Sequence, residues 1–367
     1  MHSHHSHSGE FCKHAKSTLD EVLEQAYKLK FSHFHLSEHV PRAKPEELYP
    51  EEIEAGLTPD GLVSQFQDYL AKARVKQREY TEKSPSMTVL VGCETENIVS
   101  PDTLDYLVTL LGPSNSKSLP PSYVGLGTVD YIVGSVHHTH GIPIDFDKPT
   151  YEKAVSSRDG GRVALLLSYL DAQFEVLQRL RPEVIGHMDL YRLFEPTETW
   201  YPDVDSVDGA LIHEKLRRNI AFAASYGALF EANSAAFRKG WNGETYPGRD
   251  ILCLILQAHG RIALSDDSHG VAQVGLNFAR LRTYLMEMGV TTVWCLTRGT
   301  SKNESIEEAH HSFEKEEQAR LIREVSSAPG DGAPDRFPRG TRAIPMREWA
   351  SDPFWDALPA GLQTAAP

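Results

Sequence analysis

The sequence predicts an α/β fold in which strand–helix units close into a barrel. Three observations carry this. Short apolar runs of strand type alternate with helical patterns along most of the 367 residues, which implies a mostly parallel sheet. Seven or eight such units occur, enough to close a barrel. No GxGxxG or GxxxxGKS/T motif follows an early strand, as an open, doubly wound nucleotide binder would require.

The elements follow in order. Residues 2–8 form a polar first strand. Thr18 and Glu21 have capping-box spacing, and Leu19, Leu23, Ala26 and Tyr27 recur at helical period behind them. Phe31 to Leu36 alternates as a second strand. Thr58-Pro59 opens a long helix with an apolar face of Leu62, Phe66, Tyr69, Leu70 and Ala73. Met87 to Gly92 is the third strand, and Ser100-Pro101 starts the next helix. Residues 112–127 read as a loop insertion. Tyr131–Val136, Val184–Ile185, Leu229–Ala232 and Ile262–Leu264 are strands four to seven. Helices over 161–180, 208–226, 249–258 and 275–288 separate or follow them. Val290 to Leu296 is a candidate eighth strand, followed by a charged helix over about 304–324. The barrel is expected over 1–325, with 326–367 as a C-terminal extension. In it, the Pro-, Gly- and Asp-rich 326–343 reads as a flexible linker. Trp349, Phe354 and Trp355 form an apolar cluster that packs back on the barrel.

Composition excludes several classes. With 51 acids against 37 bases, the net charge is −14, which disfavours nucleic acid and anionic membrane surfaces as partners. No apolar run is long enough to span a bilayer, and the N-terminus lacks a basic-then-apolar signal pattern. The four cysteines have no CxxC spacing, so a reducing compartment, the cytoplasm, is expected.

Histidine is the unusual residue. There are 17, five of them within the first 14 positions. A barrel places its chemistry at the carboxyl ends of its strands, and every expected strand end here is polar. The ends read His5-Ser6-His7, Ser37-Glu38-His39, Gly92-Cys93-Glu94 and Gly134-Ser135-Val136-His137, then Gly186-His187-Met188-Asp189, Glu231-Ala232-Asn233 and Asp266-Asp267-Ser268-His269. These residue types ligate transition metals. Residues two apart share a strand face, so His5 and His7 point one way and His2 and His4 the other. His5 and His7 lie nearer the carboxyl end and are the expected ligands; His2 and His4 are expected at a frayed, solvated start. Glu94 can reach the barrel mouth, where a carboxylate can bridge two cations. Asp267 and His269 can face the same way; Asp266, pointing opposite, is the rival ligand, or else takes a turn or N-cap role.

Together these stretches, with Cys12-Lys13-His14-Ala15 and the opening His-Ser-His-His-Ser-His-Ser-Gly, resemble the polymerase and histidinol phosphatase (PHP) family of metal-dependent phosphoesterases. The match is best to its fungal-type histidinol-phosphate phosphatases. The motifs run in family order over residues 2–300. The loop from His7 to His14 is one residue longer than the commonest family form, and Met188 replaces the usual Pro. The resemblance implies a distorted (β/α)7 TIM-like barrel holding two or three divalent ions: zinc, iron or manganese. It implies that His5, His7, Glu94 and Asp267 hold one ion. His14, His39 and His269 hold a second, and Glu94, His137 and His187 a third.

The implied reaction is hydrolysis of a small phosphate ester, L-histidinol phosphate, by a metal-bound hydroxide. A doubly charged phosphate would be repelled by this acidic chain unless clustered cations invert the local field. Such cations also lower the pKa of bound water from about 15.7 toward 7. Arg192 and Arg238 lie just past strands five and six and are expected to fork the phosphate, beside Asn233. Asp189 is expected to protonate the leaving alkoxide or orient the attacking water, with Glu94 and Asp267 as the other catalytic carboxylates. Glu38, Glu10 and His138 are candidates for contact with the substrate's imidazole and amine. Three other readings compete: a phosphoesterase acting on another ester, a non-catalytic metal-binding barrel, and an amidohydrolase-like barrel. The last would want a carboxylated lysine at strand four or five, where none is placed. The CxxxxxR phosphatase signature is absent.

Overall fold

The computed structural model describes residues 1–98, 101–112, 119, 122–196, 204–299 and 333–363. Seven parallel strands form its centre: β1 (His2–Ser3), β2 (His33–Phe34), β3 (Gly92–Glu94), β4 (Tyr131–Gly134), β5 (Val184–Ile185), β6 (Leu229–Asn233) and β7 (Arg261–Ser265). β3 to β7 pair in chain order as one parallel sheet. β1 pairs with β2, and single bridges such as Leu36↔Val91 and His39↔Glu94 join the β2 segment to β3. The ring closes where Ser6 bridges Ser268 in parallel and the His7 amide donates to the Ser268 carbonyl at 2.7 Å. Between the β1 and β2 segments, serine side chains replace part of the ladder. Ser37 Oγ accepts from the Ser6 amide, and Ser6 Oγ donates to the His35 carbonyl.

Helices pack around the ring: α1 (Leu19–Lys28), α2 (Pro59–Glu82), α3 (Pro101–Leu111), α4 (Gly161–Leu180), α5 (Val207–Ser225), α6 (Arg249–Gln257) and α7 (Phe278–Glu287). The α1 capping box forms as its spacing predicts, with Thr18 and Glu21 satisfying each other's amides. The predicted face of α2 is buried at Leu62, Phe66, Tyr69 and Ala73. Inside the ring, Tyr131 is fully buried and its hydroxyl donates to the carbonyls of His4 and Leu36. This close filling leaves no room at Gly92, where a Cβ would fall 2.3 Å from the Tyr131 ring.

Three expectations change. His2 and His4 are not frayed but fully buried. The candidate eighth strand exists as β8 (Val293–Arg298), but it pairs antiparallel with β9 (Thr341–Met346), outside the parallel ring. The two features are linked, because His4 Nε2 accepts from the Leu296 amide and His2 Nε2 from the Leu264 amide. Burial holds both imidazoles well below their ordinary pKa, so they stay neutral and can accept. The third change is in 326–343, where Thr341–Ala343 begins β9 rather than continuing a linker. The composition hid a short β-type run behind its Pro and Gly neighbours. The charged helix expected over 304–324 lies outside the described residues, as do Ser100 and most of 113–121.

One side chain of the C-terminal segment reaches under the barrel. Arg339 donates to the carbonyls of Val124, Arg181 and Leu180 and to Glu183 Oε1 at 2.8 Å. Glu183 is buried at the foot of β5, and its other oxygen accepts from the Ile132 amide. Trp349, Phe354 and Trp355 are buried in the same core as the barrel helices. Breaking a buried, fully bonded ion pair leaves an uncompensated charge. Arg339→Met is therefore expected to cost about 3–5 kcal/mol, read as a lowered urea midpoint. An unchanged midpoint would show that the segment does not support the barrel.

Candidate metal centre

Glu94 ends β3 at the barrel mouth, buried to 1% exposure. Five imidazoles converge on its carboxylate. His187 Nε2, His5 Nε2 and His137 Nε2 lie 3.1, 3.2 and 3.2 Å from Oε1. His39 Nδ1 and His7 Nε2 lie 3.0 and 3.4 Å from Oε2. Asp267 adds a second carboxylate, 3.6 Å from His5 Nε2, 3.7 Å from His7 Nε2 and 3.6 Å from His269 Nδ1. Its backbone is in the left-handed region (φ 46°). Asp tolerates this strain better than most residues, and such strain is typical of functional sites.

The donor set suits divalent cations. His5 Nε2, both ring nitrogens of His7 and His39 Nε2 are buried without a hydrogen-bond partner. The potential donors gather as His5–His7–Asp267, Glu94–His137–His187, His7–His39–Glu94 and Cys12–His14–His39–His269. Electrostatics agree. Burial alone would lower the His5 and His137 imidazoles, yet adjacent carboxylates, Glu94 foremost, hold both well above the ordinary value. Burial would raise the Glu94 and Asp267 carboxyls, yet the imidazoles hold both well below the ordinary range. The centre thus demands positive charge, and cations bound by imidazole and carboxylate satisfy it.

A second layer of carboxylates aims the imidazoles. Glu96 Oε2 lies 3.0 Å from His137 Nδ1 and 3.1 Å from His138 Nδ1, and accepts from the Tyr49 hydroxyl. Glu231 Oε2 meets His5 Nδ1 at 3.1 Å, and its Oε1 accepts from the His187 amide. Glu38 Oε2 stands 3.7 Å from His7 Nδ1 while Oε1 holds the Ser8 amide and hydroxyl. Sequence reasoning gave none of these acids its role. For Glu96 the signal was available, since it lies two residues beyond Glu94.

A cavity of about 410 Å³ opens over the centre, within the range of small-molecule sites. Glu94, Asp267 and Arg238 of the expected catalytic and phosphate-binding residues line it. Arg238 is held by donating to the carbonyls of Asp266 and Asp267. Asp266 itself faces away, bonded to Ser3 Oγ and the Gly275 amide.

Three expected residues stand behind the cavity wall. Arg192 donates to Asp189 Oδ2 at 3.2 Å, Glu244 Oε1 at 3.0 Å and the Pro196 carbonyl. The short 3₁₀ turn Leu190–Arg192 directs it there, which distance along the chain could not reveal. Asp189 is fully buried, and its Oδ2 accepts from the Gly248 amide at 2.8 Å. Asn233 donates to Glu231 Oε1, and its own oxygen accepts from the Ala235 amide. These three brace the site rather than line it. Glu10, Glu38 and His138 do not line the cavity either: Lys72 holds Glu10, Ser8 holds Glu38 and Glu96 holds His138. The cavity wall instead carries Tyr246, Lys239, Asp145 and Phe146, none of which the sequence singled out. All four lie on segments beyond the strand ends, where no periodicity points inward.

The Glu96 contact generates a test. Glu96→Gln keeps the shape but weakens the acceptor that aims His137. Metal affinity is expected to fall about 10–100-fold in a chelator-competition titration. Unchanged affinity would make Glu96 a packing residue only.

Comparison with known proteins agrees with this geometry. Residues 3–235 match the family model described as PHP domain. The chain is 38% identical over 304 residues to a protein of Schizosaccharomyces pombe named "Probable histidinol-phosphatase", covering 83% of this chain and 92% of that one. It is 34% identical over 312 residues to the histidinol-phosphatase of Saccharomyces cerevisiae, covering 78% and 89%. Among solved structures it shares its fold with the histidinol phosphate phosphatase of Lactococcus lactis, crystallised with zinc, L-histidinol and phosphate. That match has a TM-score of 0.54 at 18% identity, covering 78% of this chain and 93% of that one. A structure from Listeria monocytogenes also superposes, with a TM-score of 0.61 at 21% identity, covering 76% and 99%. With a barrel ringed by strand-end ligands and a family model matching well over half its length, the chain belongs to the PHP domain family.

Proposed function

We propose that this protein is a metal-dependent phosphomonoesterase that hydrolyses L-histidinol phosphate to L-histidinol and phosphate. The observation that carries this is the five-imidazole convergence on Glu94 beneath a ligand-sized cavity. It occurs in a chain 34% and 38% identical to two fungal proteins bearing that name.

Two or three divalent ions, zinc foremost, would be held by His5, His7, Glu94 and Asp267, by Glu94, His137 and His187, and by His14, His39 and His269. Bound there, they would supply Lewis-acid charge and ionise water near neutral pH. The chain's own residues supply the rest. Arg238 and the exposed Lys239 bring positive charge to the phosphate oxygens, where charge must be balanced during transfer. Glu94 and Asp267 remain ionised at neutral pH, so neither donates a proton. The buried Tyr246 hydroxyl faces the cavity without a hydrogen-bond partner. Burial pushes its pKa well above the usual phenol value, so it remains an O–H that can donate to the phosphate or the leaving oxygen. Asp189, Arg192 and Asn233 hold the wall that positions these groups. Unpaired cysteines and the absence, among the described residues, of a helix able to cross a membrane fit action in the cytoplasm.

The rim supplies a reason for this substrate. Asp145 is a half-buried carboxylate on the cavity wall with no basic partner among the described residues. Beside it, Phe146 is 50% exposed. An acid next to an aromatic face suits an ammonium beside a flat imidazole.

Phosphate release from L-histidinol phosphate should be fast, abolished by chelation and restored by added zinc. Absence of release with metal bound would retain the centre and overturn the substrate. Asp145→Asn should raise KM about tenfold, the value of one screened ion pair of about 1.4 kcal/mol, and leave kcat nearly unchanged. An unchanged KM would remove Asp145 from substrate recognition.

A further inference from the structure

We infer that Cys12 is the fourth ligand of the outermost ion, completing a Cys12–His14–His39–His269 site that selects zinc over manganese. This rests on the metal-centre reading above and adds a sulfur ligand to it.

Cys12 Sγ lies 3.1 Å from His14 Nε2. Ligand atoms of Cys12, His14, His39 and His269 all fall within 4.8 Å of one another. Each imidazole is committed at one nitrogen. His14 Nδ1 is 2.8 Å from Glu51 Oε1, and His269 Nδ1 is 2.9 Å from the Asp267 carbonyl. In each, a ring N–H given to that oxygen leaves Nε2 as the lone-pair donor. This is the arrangement by which second partners fix a ligating tautomer. His39 Nδ1 is taken by Glu94, and its Nε2 is buried without a partner. The ring centroids of His14 lie 5.3 Å from His39 and 5.0 Å from His269. Three lone pairs and one sulfur thus gather at one end of the centre.

Cys12 is buried, which pushes its free thiol well above the ordinary value; a thiol that coordinates a cation is deprotonated outright. On binding, the S–H bond breaks, its proton passes to solvent, and the sulfur lone pair forms the metal bond; no oxidant or reductant is needed. A thiolate with three imidazoles is a donor set that suits zinc. Sulfur ligation disfavours the hard manganese ion, which prefers oxygen. Glu51 reaches His14 from a short helix, Pro50–Glu54, in the segment between β2 and α2, so that insertion helps to set the site.

The test uses the full chain, stripped with chelator and reloaded with cobalt(II) alone. The cobalt protein should show a near-ultraviolet sulfur-to-cobalt charge-transfer band. Cys12→Ala should lose that band together with about one equivalent of bound metal per chain, a loss that follows from removing one of four ligands. Absence of the band from the wild-type protein overturns the assignment, whatever the variant does. A band that persists unchanged in Cys12→Ala or Cys12→Ser also overturns it. Turnover of L-histidinol phosphate in the same preparation separates the two readings. Turnover without the band removes Cys12 and keeps the enzyme; the band without turnover keeps the sulfur site and removes the substrate.

Discussion

One buried carboxylate organises this molecule. Glu94 is almost fully withdrawn from water, and five imidazoles stand within 3.4 Å of its two oxygens. Such an arrangement is stable only if the charges around it balance, since an uncompensated buried charge is costly. The five histidines come from the segments of β1, β2, β4 and β5, and Glu94 itself ends β3. A closed parallel ring is what brings five consecutive strand ends to one point. The barrel and the metal centre are therefore one construction.

The first strand shows how tightly this is drawn. Its histidines divide by parity. His5 and His7 enter the metal centre, while His2 and His4 turn the other way and accept hydrogen bonds from backbone amides of β7 and β8. The same residue type thus faces the carboxylate cluster on one side and acts as neutral sealant on the other. Burial sets the second role, and nearby carboxylates set the first. A one-residue slip would exchange the faces and lose both.

Much of this was legible in the sequence. The strand–helix alternation predicted the ring, and the polar strand ends marked nearly all the potential ligands. Parity separated His5 and His7 from His2 and His4. The capping box at Thr18 and the apolar face of α2 were also readable, because local spacing alone decides them. What was hidden depends on contacts between distant segments. Asp189 and Arg192 sit close after His187 but turn behind the wall to meet Gly248 and Glu244. Tyr246 and Asp145 reach the cavity from irregular segments that carry no period. The fate of His2 and His4 depended on β8 and β9, a ribbon whose two strands lie far apart in the chain and whose second strand looked like linker. Arg339 illustrates the same limit, since its carbonyl partners come from two distant segments, Val124 and the helix end at Leu180 and Arg181.

The central claim is that Glu94 bridges more than one ion and so couples the whole centre. It is tested most directly by counting the metal bound per chain, by elemental analysis after dialysis, in Glu94→Gln beside the wild-type protein. Loss of more than one equivalent in the variant, with the fold retained by circular dichroism, is the predicted result. Retention of the full metal content would show that the histidines hold their ions independently, and Glu94 would no longer be the bridge on which this account rests.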